Sequence, residues 1–381
     1  MTARYEHGLV IGKFYPLHRG HELLLDTAAA ACDRLTVVPM AASVETIPLE
    51  RRVAWLRELY ADRPHVRISG QRDDHPVDLT SEQAWANHTS MMRAAVARAA
   101  ITDGRPELAA VDAVFTSEPY GVELARRFGA AAITVDVPRT LVPTSGTALR
   151  ADPVAGWAQL PAPVRRTLAR RVVVVGAEST GTTTLSADLR AALSARGGVW
   201  AETGWVSEIG RQWTADLLTA TAAHRSRTGE PAPTMDDLLW LEEDFEAIAL
   251  AQQAAEDAAA AAGGPVLVCD TDAFATDVWF TRYVGGSSPA VLRVAESGPA
   301  PALYLLTDHV GVTFEQDGIR DGEHLREWMT GEFRRRLKLR AEQTGASVVE
   351  VSGSRRVRLV AALAAVDAVV SAGWQLADPL G

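Results

Sequence analysis

The sequence has almost no lysine, and its acidic residues outnumber its basic ones. Only Lys13 and Lys338 occur in 381 residues, so nearly all of the 38 basic side chains are arginines. Asp and Glu number 48, and the formal net charge is -10. A surface that follows the phosphates of a nucleic acid needs an excess of basic residues. The composition therefore argues against a nucleic-acid partner and leaves small phosphate ligands open.

Cysteines and long apolar stretches are equally scarce. Cys32 and Cys269 are far apart in the sequence, which gives neither a disulfide framework nor the spacing of a metal-binding pair. The first residues lack the basic and apolar segments of a secretory signal peptide. The longest apolar runs are alanine tracts bounded by charges, too short to cross a bilayer. We expect a cytoplasmic protein with no membrane partner.

Short β-branched runs alternate with longer helical patterns along the chain. Hydrophobic residues make up 47%, which is typical of a chain that buries sizeable cores. The pattern predicts strands at 8–14, 35–40, 65–69, 111–116, 132–137, 172–175, 265–269, 302–307 and 346–351. Helices are expected at 20–32, 50–60, 81–100, 120–128, 235–261, 323–343 and 355–371, with one more beginning near Thr182. This alternation implies right-handed crossovers and parallel sheets.

A proline-rich segment divides the chain into two halves. Pro153, Pro161 and Pro163 interrupt the alternation and suit a linker or a short irregular helix. We predict a first domain at 1–152, a linker at 153–170 and a second domain at 171–381.

The sequence HRGH, at residues 18–21, forms an H-x-G-H turn between the first strand and the first helix. Two imidazoles and the ammonium of Lys13 beside a helix N-terminus suit phosphoryl or nucleotidyl transfer, because fixed donors there stabilise a transferring phosphate. Gly12 lets the backbone come close to a ligand. The alternative is that both histidines are surface residues and that Lys13 is a solvated strand end.

A second phosphate loop is expected where residues 143–150 enter a helix. Ser145 and Thr147 supply hydroxyls, Gly146 a close backbone approach and Arg150 a cation. The competing interpretation is an ordinary helix N-cap followed by a surface arginine.

The segments GKFYPLHRGH, SEPYGVELARRFGA and VPTSGTALR resemble the bifunctional nicotinamide-nucleotide adenylyltransferase and ribosylnicotinamide kinase family. The resemblance implies an H-x-G-H nucleotidyltransferase domain in which Lys13, His18 and His21 act on the ATP phosphates. It also implies that the later loop binds the β- and γ-phosphates. The nucleotide-binding residues expected in this domain are Gly12, Phe14, Gly20, Ser117, Ser145, Gly146, Thr147 and Arg150.

Three side chains outside these motifs are open to two interpretations each. Trp85 either stacks on the nicotinamide ring, since a cationic ring favours an aromatic face, or packs in the core from one face of a helix. Arg51 and Arg52 either contribute to the site or lie on a solvated helix face, and we expect the solvated face.

The second half of the chain has its own phosphate-loop motif, which follows the strand predicted at 172–175. The sequence GAESTGTTT has the context of G-x-x-x-x-G-K-[ST], in which backbone amides surround phosphates and a hydroxyl holds Mg²⁺. Its predicted loop residues are Gly176, Glu178, Ser179, Thr180, Gly181, Thr182, Thr183 and Thr184. Thr183 fits the hydroxyl position, but Thr182 stands where the lysine is expected and carries no charge.

A substitute for the missing charge is expected from a lid. Arg320 and Arg326 lie in a polar segment that suits a mobile lid over the phosphates, as in kinases that this half resembles. The alternative for both arginines is an ordinary polar loop. Lys338 sits in the basic run RRRLKLR and is expected on a solvated face.

Acidic residues follow the strand predicted at 265–269. We expect Asp270 to bind Mg²⁺ together with Thr183, and Asp272 to orient or deprotonate a sugar hydroxyl. The segments DTDAFATDVWFTRYVGG and YLLTDHVGVTFEQDGIR resemble the kinase half of the same family. The chain departs from that family at 201–205, where Glu202 is kept and the flanking basic residues are not.

The expected fold is therefore α/β, with a Rossmann-like nucleotidyltransferase domain followed by a P-loop NTPase or kinase-like domain. The resemblance implies adenylyl transfer from ATP to nicotinamide mononucleotide, with NAD and pyrophosphate as products and Mg²⁺ as cofactor. It further implies that the second domain phosphorylates nicotinamide riboside with ATP. Two alternatives stay open: an adenylyltransferase whose second domain only binds nucleotide, and a regulatory protein that senses ATP or NAD. The expected partners are these small nucleotides, and a homo-oligomer is compatible with the sequence.

Overall fold

The computed structural model describes residues 5–380, and the chain divides into two compact units. The first unit comprises the described residues through Val164 together with the segment from Trp374 onward. The second unit comprises Arg165–Gly373. Each unit is built on its own parallel sheet, and helices alternate with the strands. The predicted α/β fold class is confirmed.

The first unit contains a sheet in which every pairing is parallel. Its strands are β1 (Tyr5–Gly12), β2 (Cys32–Ala41), β3 (Val66–Ile68), β4 (Gln71–Arg72), β5 (Ala113–Thr116) and β6 (Ala131–Thr134). Its helices are α1 (Arg19–Ala31), α2 (Leu49–Leu59), α3 (Glu82–Thr102), α4 (Gly121–Phe128) and α5 (Gly146–Ala151), and α6 (Ala162–Leu168) contains the point where the chain passes to the second unit. The strand order is β3-β2-β1-β5-β6, with β4 paired to β2.

β1 occupies the centre of this sheet because its side chains are apolar on both faces. Leu9 and Val10 point to opposite faces and are both fully buried. The chain leaves β1 towards β2 on one side, and β5 pairs with β1 on the other. The carboxyl ends of β1 and β5 therefore form a topological switch point, where open α/β sheets bind ligands.

The second unit is also built on a parallel sheet with a buried central strand, but its strand order differs. Its strands are β7 (Arg170–Gly176), β8 (Gly204–Val206), β9 (Val266–Asp270), β10 (Leu303–Thr307) and β11 (Ser347–Val351). Its helices are α7 (Thr182–Ser194), α8 (Ile209–Thr228), α9 (Glu242–Ala262), α10 (Ala273–Tyr283), α11 (Pro289–Ser297), α12 (Arg326–Thr344) and α13 (Arg355–Ser371). The order β11-β10-β7-β9-β8 puts β7 at the centre, where Val172 and Val174 pack against Leu189 of α7 and Leu305 of β10.

All of the predicted strands are present with shifted bounds, and the short strands β4 and β8 were not predicted. Helices α8, α10 and α11 were also missed, and the helix expected from residue 235 begins at Glu242. α8 shows why, because Thr214 is its only buried residue and the sequence lacks an apolar stripe. In the segment 153–170, Trp157 and Val164 are buried, and α6 occupies its second half.

No helix within residues 5–380 has both the length and the apolarity of a bilayer span.

The second unit buries an acidic side chain whose ionisation is unfavourable. Glu256 on α9 is 6% exposed, and Arg171 lies 3.7 Å from its carboxyl group. The amide of Gln252 donates to the same carboxyl group at 3.3 Å. Burial first, and then the negative charge of Asp272, raise the pKa of Glu256 from 4.5 to about 8. The folded protein therefore holds this proton over a pH range in which the unfolded chain has released it.

We predict that Glu256→Gln makes the free energy of unfolding less dependent on pH. In the wild-type protein, the stabilisation from the retained proton is complete below the unfolded pKa and is lost as pH rises through about 8. One such group contributes a slope of at most about 1.4 kcal/mol per pH unit. Urea denaturation between pH 5 and pH 9 measures the slope. Glu342→Gln, at an exposed position of α12, is the control, and equal slopes in both variants and the wild type contradict the prediction.

Candidate active sites

A cavity of about 510 Å³ opens at the carboxyl ends of β1 and β5 in the first unit. It collects residues from the H-x-G-H turn, from the later Ser/Thr-rich loop and from α3. The residues predicted from the sequence that line it are Gly12, Lys13, Phe14, His18, Gly20, His21, Trp85, Ser117, Ser145, Gly146, Thr147 and Arg150. Motifs that are distant in the chain therefore share one cavity.

The H-x-G-H turn is a capped helix start that fixes both imidazoles. His18 is the N-cap of α1, and its Nδ1 accepts the Gly20 N–H at 3.1 Å. The Nδ1 of His21 accepts the His18 N–H at 3.3 Å, and the two rings stack with centroids 3.7 Å apart. A Cβ at position 20 would lie 3.0 Å from the His18 ring, so glycine lets the ring fold back. With Nδ1 accepting, each neutral ring keeps a donor at Nε2.

Both imidazoles are neutral near pH 7. Burial first, and then the charge of Arg139, lower the pKa of His18 to about 4. Burial also lowers the pKa of His21 well below 6.5, with smaller contributions from His18 and Arg139. The histidines are therefore neutral hydrogen-bond donors at Nε2, while Lys13, Arg139 and Arg150 supply the positive charge around the cavity.

The backbone at Lys13 is held by a buried ion pair that the sequence analysis missed. Arg52 on α2 is fully buried, and its guanidinium lies 2.7 Å from the carboxylate of Glu45. It also donates to the carbonyl of Lys13 at 2.9 Å. The expectation of a solvated face is wrong for Arg52, because Glu45 in the preceding loop compensates its charge and makes burial tolerable. Arg51, on the same helix, is exposed as expected.

The ammonium of Lys13 is itself partly removed from water. Its Nζ lies 3.6 Å from Oε1 of Glu45. Burial, the larger effect, lowers the pKa of Lys13, and the Glu45 carboxylate raises it. An anionic ligand that enters the cavity therefore meets a cation with incomplete hydration, which strengthens the attraction.

The later loop packs directly against the chain segment that precedes the H-x-G-H turn. Ser145 caps α5 by accepting the Ala148 N–H at 3.1 Å. A Cβ at position 146 would lie 2.9 Å from the carbonyl oxygen of Tyr15, so only glycine permits this approach. Arg150 donates to the same carbonyl at 2.8 Å and to the Thr147 hydroxyl at 3.2 Å. Ser145 is thus a helix cap and a cavity residue at once.

Trp85 packs in the core of the first unit and also lines the cavity. Its indole N–H donates to the Leu79 carbonyl at 3.0 Å, and the guanidinium of Arg127 lies 4.9 Å from its ring. Nearby, the carboxylate of Asp73 accepts hydrogen bonds from the Nδ1 atoms of His75 and His88. These histidines also line the cavity, and the sequence analysis did not single them out.

The second unit has a cavity of about 110 Å³ at the carboxyl ends of β7 and β9. The residues predicted from the sequence that line it are Gly176, Glu178, Ser179, Thr182, Thr183, Asp270 and Arg320. Gly181 precedes α7 with a φ of +85°, a conformation that favours glycine. Thr180 faces inward, where its hydroxyl donates to the Ala177 carbonyl at 2.7 Å, and Thr184 is exposed on the first turn of α7.

Asp270 and Thr183 form a pair of oxygen donors that fits Mg²⁺. Asp270 ends β9 and is 2% exposed. Burial, the larger effect, raises its pKa, and hydrogen bonds from the Thr183 and Thr182 hydroxyls lower it. Mg²⁺ takes few protein ligands and completes its shell with waters and phosphates. Within residues 5–380 no group of three or more His, Cys, Asp or Glu side chains is placed to hold a metal, so the pair suits an ion shared with a phosphate ligand.

Asp272 and Arg326 do not lie where the sequence predicted them. Asp272 is the N-cap of α10, and its carboxylate also accepts the Tyr304 hydroxyl at 2.7 Å. Both oxygens are therefore used inside the core, and the predicted contact with a sugar hydroxyl is wrong. Arg326 is buried and donates to the carbonyls of Val312 at 2.9 Å and Ser179 at 3.1 Å. It stabilises the backbone of the P-loop and of the lid instead of facing the phosphates.

The segment between β10 and α12, residues 308–325, is tied to the P-loop. The Glu315 N–H donates to the Ser179 hydroxyl at 2.8 Å, and the Gly322 N–H donates to the Glu178 carboxylate at 2.7 Å. The same carboxylate lies 2.9 Å from the guanidinium of Arg282. The segment expected to act as a lid is thus hydrogen-bonded to the P-loop.

Arg320 and Arg211 bring positive charge to this cavity. Arg320 lies 3.6 Å from the carboxylates of both Glu315 and Asp317, and Arg211 also pairs with Asp317. Both arginines line the cavity, whereas Lys338 on α12 is outside it. The sequence analysis identified Arg320 and missed Arg211, because it gave α8 no role.

Glu208 is a second residue that sequence reasoning missed. It lies at the N-cap of α8, three residues before Arg211, and it lines the cavity. Burial first, and then the negative charge of Asp270, raise its pKa to about 7, while Arg211 acts in the opposite direction. Glu202, which the sequence analysis had singled out, is exposed and lines a separate pocket. The spacing of an acid and an arginine one helical turn apart was the available signal.

The second unit matches a family model described as an AAA domain over residues 171–358. Two curated proteins, each a trifunctional NAD biosynthesis/regulator protein NadR, are similar to most of the chain. The protein from Salmonella typhimurium (strain LT2) is 23% identical over 326 residues, which cover 82% of this chain and 71% of the relative. The protein from Escherichia coli (strain K12) is 24% identical over 328 residues, with the same coverage.

Solved structures of NadR share the fold. A crystal structure of NadR in complex with NR has a TM-score of 0.67 and 20% identity, and covers 99% of this chain and 98% of that chain. A crystal structure of NadR in complex with NAD and AMP-PNP has a TM-score of 0.65 and 20% identity, and covers 99% of each chain. The chain is therefore similar in sequence to the NadR proteins over most of its length and shares their fold, in line with the resemblance of its motifs.

Proposed function

We propose that the first unit transfers the adenylyl group of ATP to nicotinamide mononucleotide, forming NAD and pyrophosphate. We further propose that the second unit phosphorylates nicotinamide riboside with ATP. The observation that carries the proposal is the convergence of the H-x-G-H turn, Lys13 and the loop Ser145–Arg150 on one cavity. The choice of acceptor is supported by similarity to NadR proteins named for NAD biosynthesis, and by NadR complexes with NR, NAD and AMP-PNP.

In the first unit, a phosphate oxygen of the mononucleotide attacks the α-phosphorus of ATP. A new phosphorus–oxygen bond forms as the bond to the pyrophosphate oxygen breaks, and no covalent enzyme intermediate is needed. His18 and His21 donate from Nε2 to the non-bridging oxygens, whose negative charge grows in the transition state. Lys13 and Arg150 balance the charge of the departing pyrophosphate. Because the imidazoles are neutral, they stabilise this charge by hydrogen bonding, and the compensating positive charge comes from Lys13 and Arg150.

In the second unit, the P-loop amides bind the ATP phosphates, and Arg320 and Arg211 supply charge in place of the absent lysine. Glu208 takes the proton of the riboside hydroxyl, the role that Asp272 cannot fill from the core. Asp270 and Thr183 are the residues that would hold Mg²⁺, which supplies charge neutralisation at the phosphates when bound. A pKa of about 7 places Glu208 in the range in which a general base acts at neutral pH.

A second candidate function follows from Thr182. A hydroxyl at the lysine position supplies no charge to the β- and γ-phosphates, which favours an adenylyltransferase whose second unit binds nucleotide without phosphorylating a riboside. Arg211 and Arg320, which line the cavity, are also paired with acidic residues of the segment 308–325: Arg211 with Asp317, and Arg320 with Glu315.

Mass-spectrometric product analysis separates the two candidates. The purified protein is incubated with Mg²⁺, ATP and nicotinamide riboside, and NAD formation requires both units to work in sequence. With nicotinamide mononucleotide as the only acceptor, NAD formation requires the first unit alone. NAD from the mononucleotide but not from the riboside supports the second candidate, and no NAD from either acceptor contradicts both in favour of a sensor of ATP or NAD.

We predict that His21→Ala lowers kcat for NAD formation by about 100-fold or more, because one preorganised donor to the transition state is lost. The KM for ATP changes by less than about threefold, since the bond tightens only as charge develops. Steady-state kinetics with nicotinamide mononucleotide measure both constants. His224→Ala, at an exposed site on α8, serves as the control. A variant with wild-type turnover contradicts the role of His21.

We predict that riboside phosphorylation rises with pH through about 7 and levels off above it, because Glu208 accepts a proton only when ionised. Glu208→Gln lowers kcat by about 100-fold and abolishes this rise. The measurement is the initial rate of mononucleotide formation from pH 5.5 to pH 9. Glu202→Gln is the matched control, since that side chain lines another pocket. An E208Q profile that still rises through the same range assigns the titration to another group.

We predict that Thr182→Lys raises kcat/KM for ATP in riboside phosphorylation by about tenfold, the effect of one added interaction of about 1.4 kcal/mol. The ammonium would meet the β- and γ-phosphates from the position used in other P-loops. Thr184→Lys adds the same charge at an exposed position outside the cavity and is expected to have no effect. Equal rates in the wild type and both variants would show that the loop position is unimportant here.

A further inference from the structure

The last described residues of the chain lie in the cavity of the first unit. We call residues 374–380 the C-terminal tail; it follows α13 and belongs to that unit. Pro379 and Leu380 line the cavity together with Lys13. The proposed chemistry uses none of these tail residues.

Hydrogen bonds hold the tail against the chain segments that build the site. The Tyr15 hydroxyl donates to the Ala377 carbonyl at 2.9 Å, and the Ala377 N–H donates to the Thr46 hydroxyl at 2.9 Å. The Thr46 hydroxyl donates in turn to the Gln375 carbonyl at 3.1 Å. At the far end, the ammonium of Lys13 donates to the Leu380 carbonyl. The tail is anchored at its start by Trp374, whose ring centroid lies 6.1 Å from that of Trp157.

The contact with Lys13 places a neutral acceptor where the proposed function needs an anionic one. Lys13 is the single lysine of the first unit, and Glu45 is its acidic neighbour at 3.6 Å. A hydrogen bond from an ammonium to a phosphate oxygen is charge-assisted on both sides and stronger than one to a backbone carbonyl. A phosphate that enters the cavity would therefore bind the Lys13 ammonium in place of the Leu380 carbonyl, provided that the end of the tail moves away.

The end of the tail is also held in a way that permits such movement. Ala377 and Leu380 make the contacts above through backbone groups, and Ala377 is exposed. Segments with few buried apolar contacts open locally at low free-energy cost. The packing of Trp374 on Trp157 then keeps the rest of the tail close to the cavity and its effective concentration high.

We propose that the C-terminal tail is an internal competitor of the ATP phosphates for Lys13, so that ATP binds only after residues 377–380 move away and take Pro379 and Leu380 out of the cavity. The proposal rests on adenylyl transfer in this cavity. Protein molecules whose tail occupies the cavity cannot bind ATP. The tail therefore lowers the binding-competent fraction of the protein and raises the apparent KM for ATP. It leaves kcat unchanged, because the tail is absent from the cavity once ATP is bound.

The kinetic test removes residues 376–381 and keeps Trp374 and Gln375. The KM for ATP in NAD formation is expected to fall by about three- to tenfold, with kcat within about twofold of the full chain. Thr46→Val, which removes hydrogen bonds to the tail from outside the cavity, is expected to shift KM in the same direction. A peptide of sequence LADPLG, added at millimolar concentration to the shortened protein, is expected to inhibit competitively with ATP. An unchanged or raised KM, or a loss of kcat, would show that the tail is neutral or builds the site, and would overturn the proposal.

A measurement independent of activity uses hydrogen exchange on the full chain. ATP is expected to speed exchange of the Ala377 amide at least threefold, because displacement breaks its bond to Thr46. Slower or unchanged exchange means that the tail closes over ATP or ignores it, and contradicts the proposal. Faster exchange without NAD formation supports the tail and contradicts the adenylyltransferase. NAD formation with an unchanged KM in the shortened protein supports the adenylyltransferase and contradicts the proposed role of the tail.

Discussion

Helix N-termini at the carboxyl edge of a parallel sheet determine where both cavities form. A strand in such a sheet must hand the chain to its crossover at that edge, and the helix that follows presents unpaired backbone N–H groups there. β1 enters α1 through the H-x-G-H turn, and β7 enters α7 through the P-loop. In the second of these turns, Gly181 adopts a positive φ that favours glycine. Each cavity also receives side chains from segments more distant in the chain, such as Arg150 in the first unit and Arg211 in the second.

The two units supply positive charge to these positions in different ways. In the first, Arg52 pairs with Glu45 inside the protein and the histidines are neutral, so Lys13, Arg139 and Arg150 carry the positive charge at the cavity. In the second, the P-loop has hydroxyls where a cation is expected. Charge arrives from Arg320 and Arg211, which come from the lid segment and from α8. Since both are paired with Asp317, their availability to a phosphate depends on how that segment is placed.

The sequence predicted the parts of the sites whose signal is local. The H-x-G-H turn and the P-loop are contiguous, and each follows an apolar strand, so motif and context agree. Arg52 was misjudged because its partner Glu45 lies outside the helix, and helical periodicity alone does not show which charged face is covered. Asp272 and Glu208 both follow strands, and only the three-dimensional structure shows that the first caps a helix in the core while the second faces the cavity. α8 was missed because only one of its residues is buried, so its sequence shows no apolar stripe.

The C-terminal tail lies beyond any such prediction, because several of its contacts use backbone groups that every residue possesses. Its contact with Lys13 nevertheless follows from the hydrogen-bonding capacity of that ammonium. The ammonium has three N–H donors and lies close to Glu45, and the Leu380 carbonyl accepts from one of these donors. The same property that makes Lys13 a strong ligand for phosphate therefore makes it a site for the chain's own carbonyl. Occupancy of this donor by one or the other is a competition that the local concentration of the tail and the concentration of the nucleotide decide.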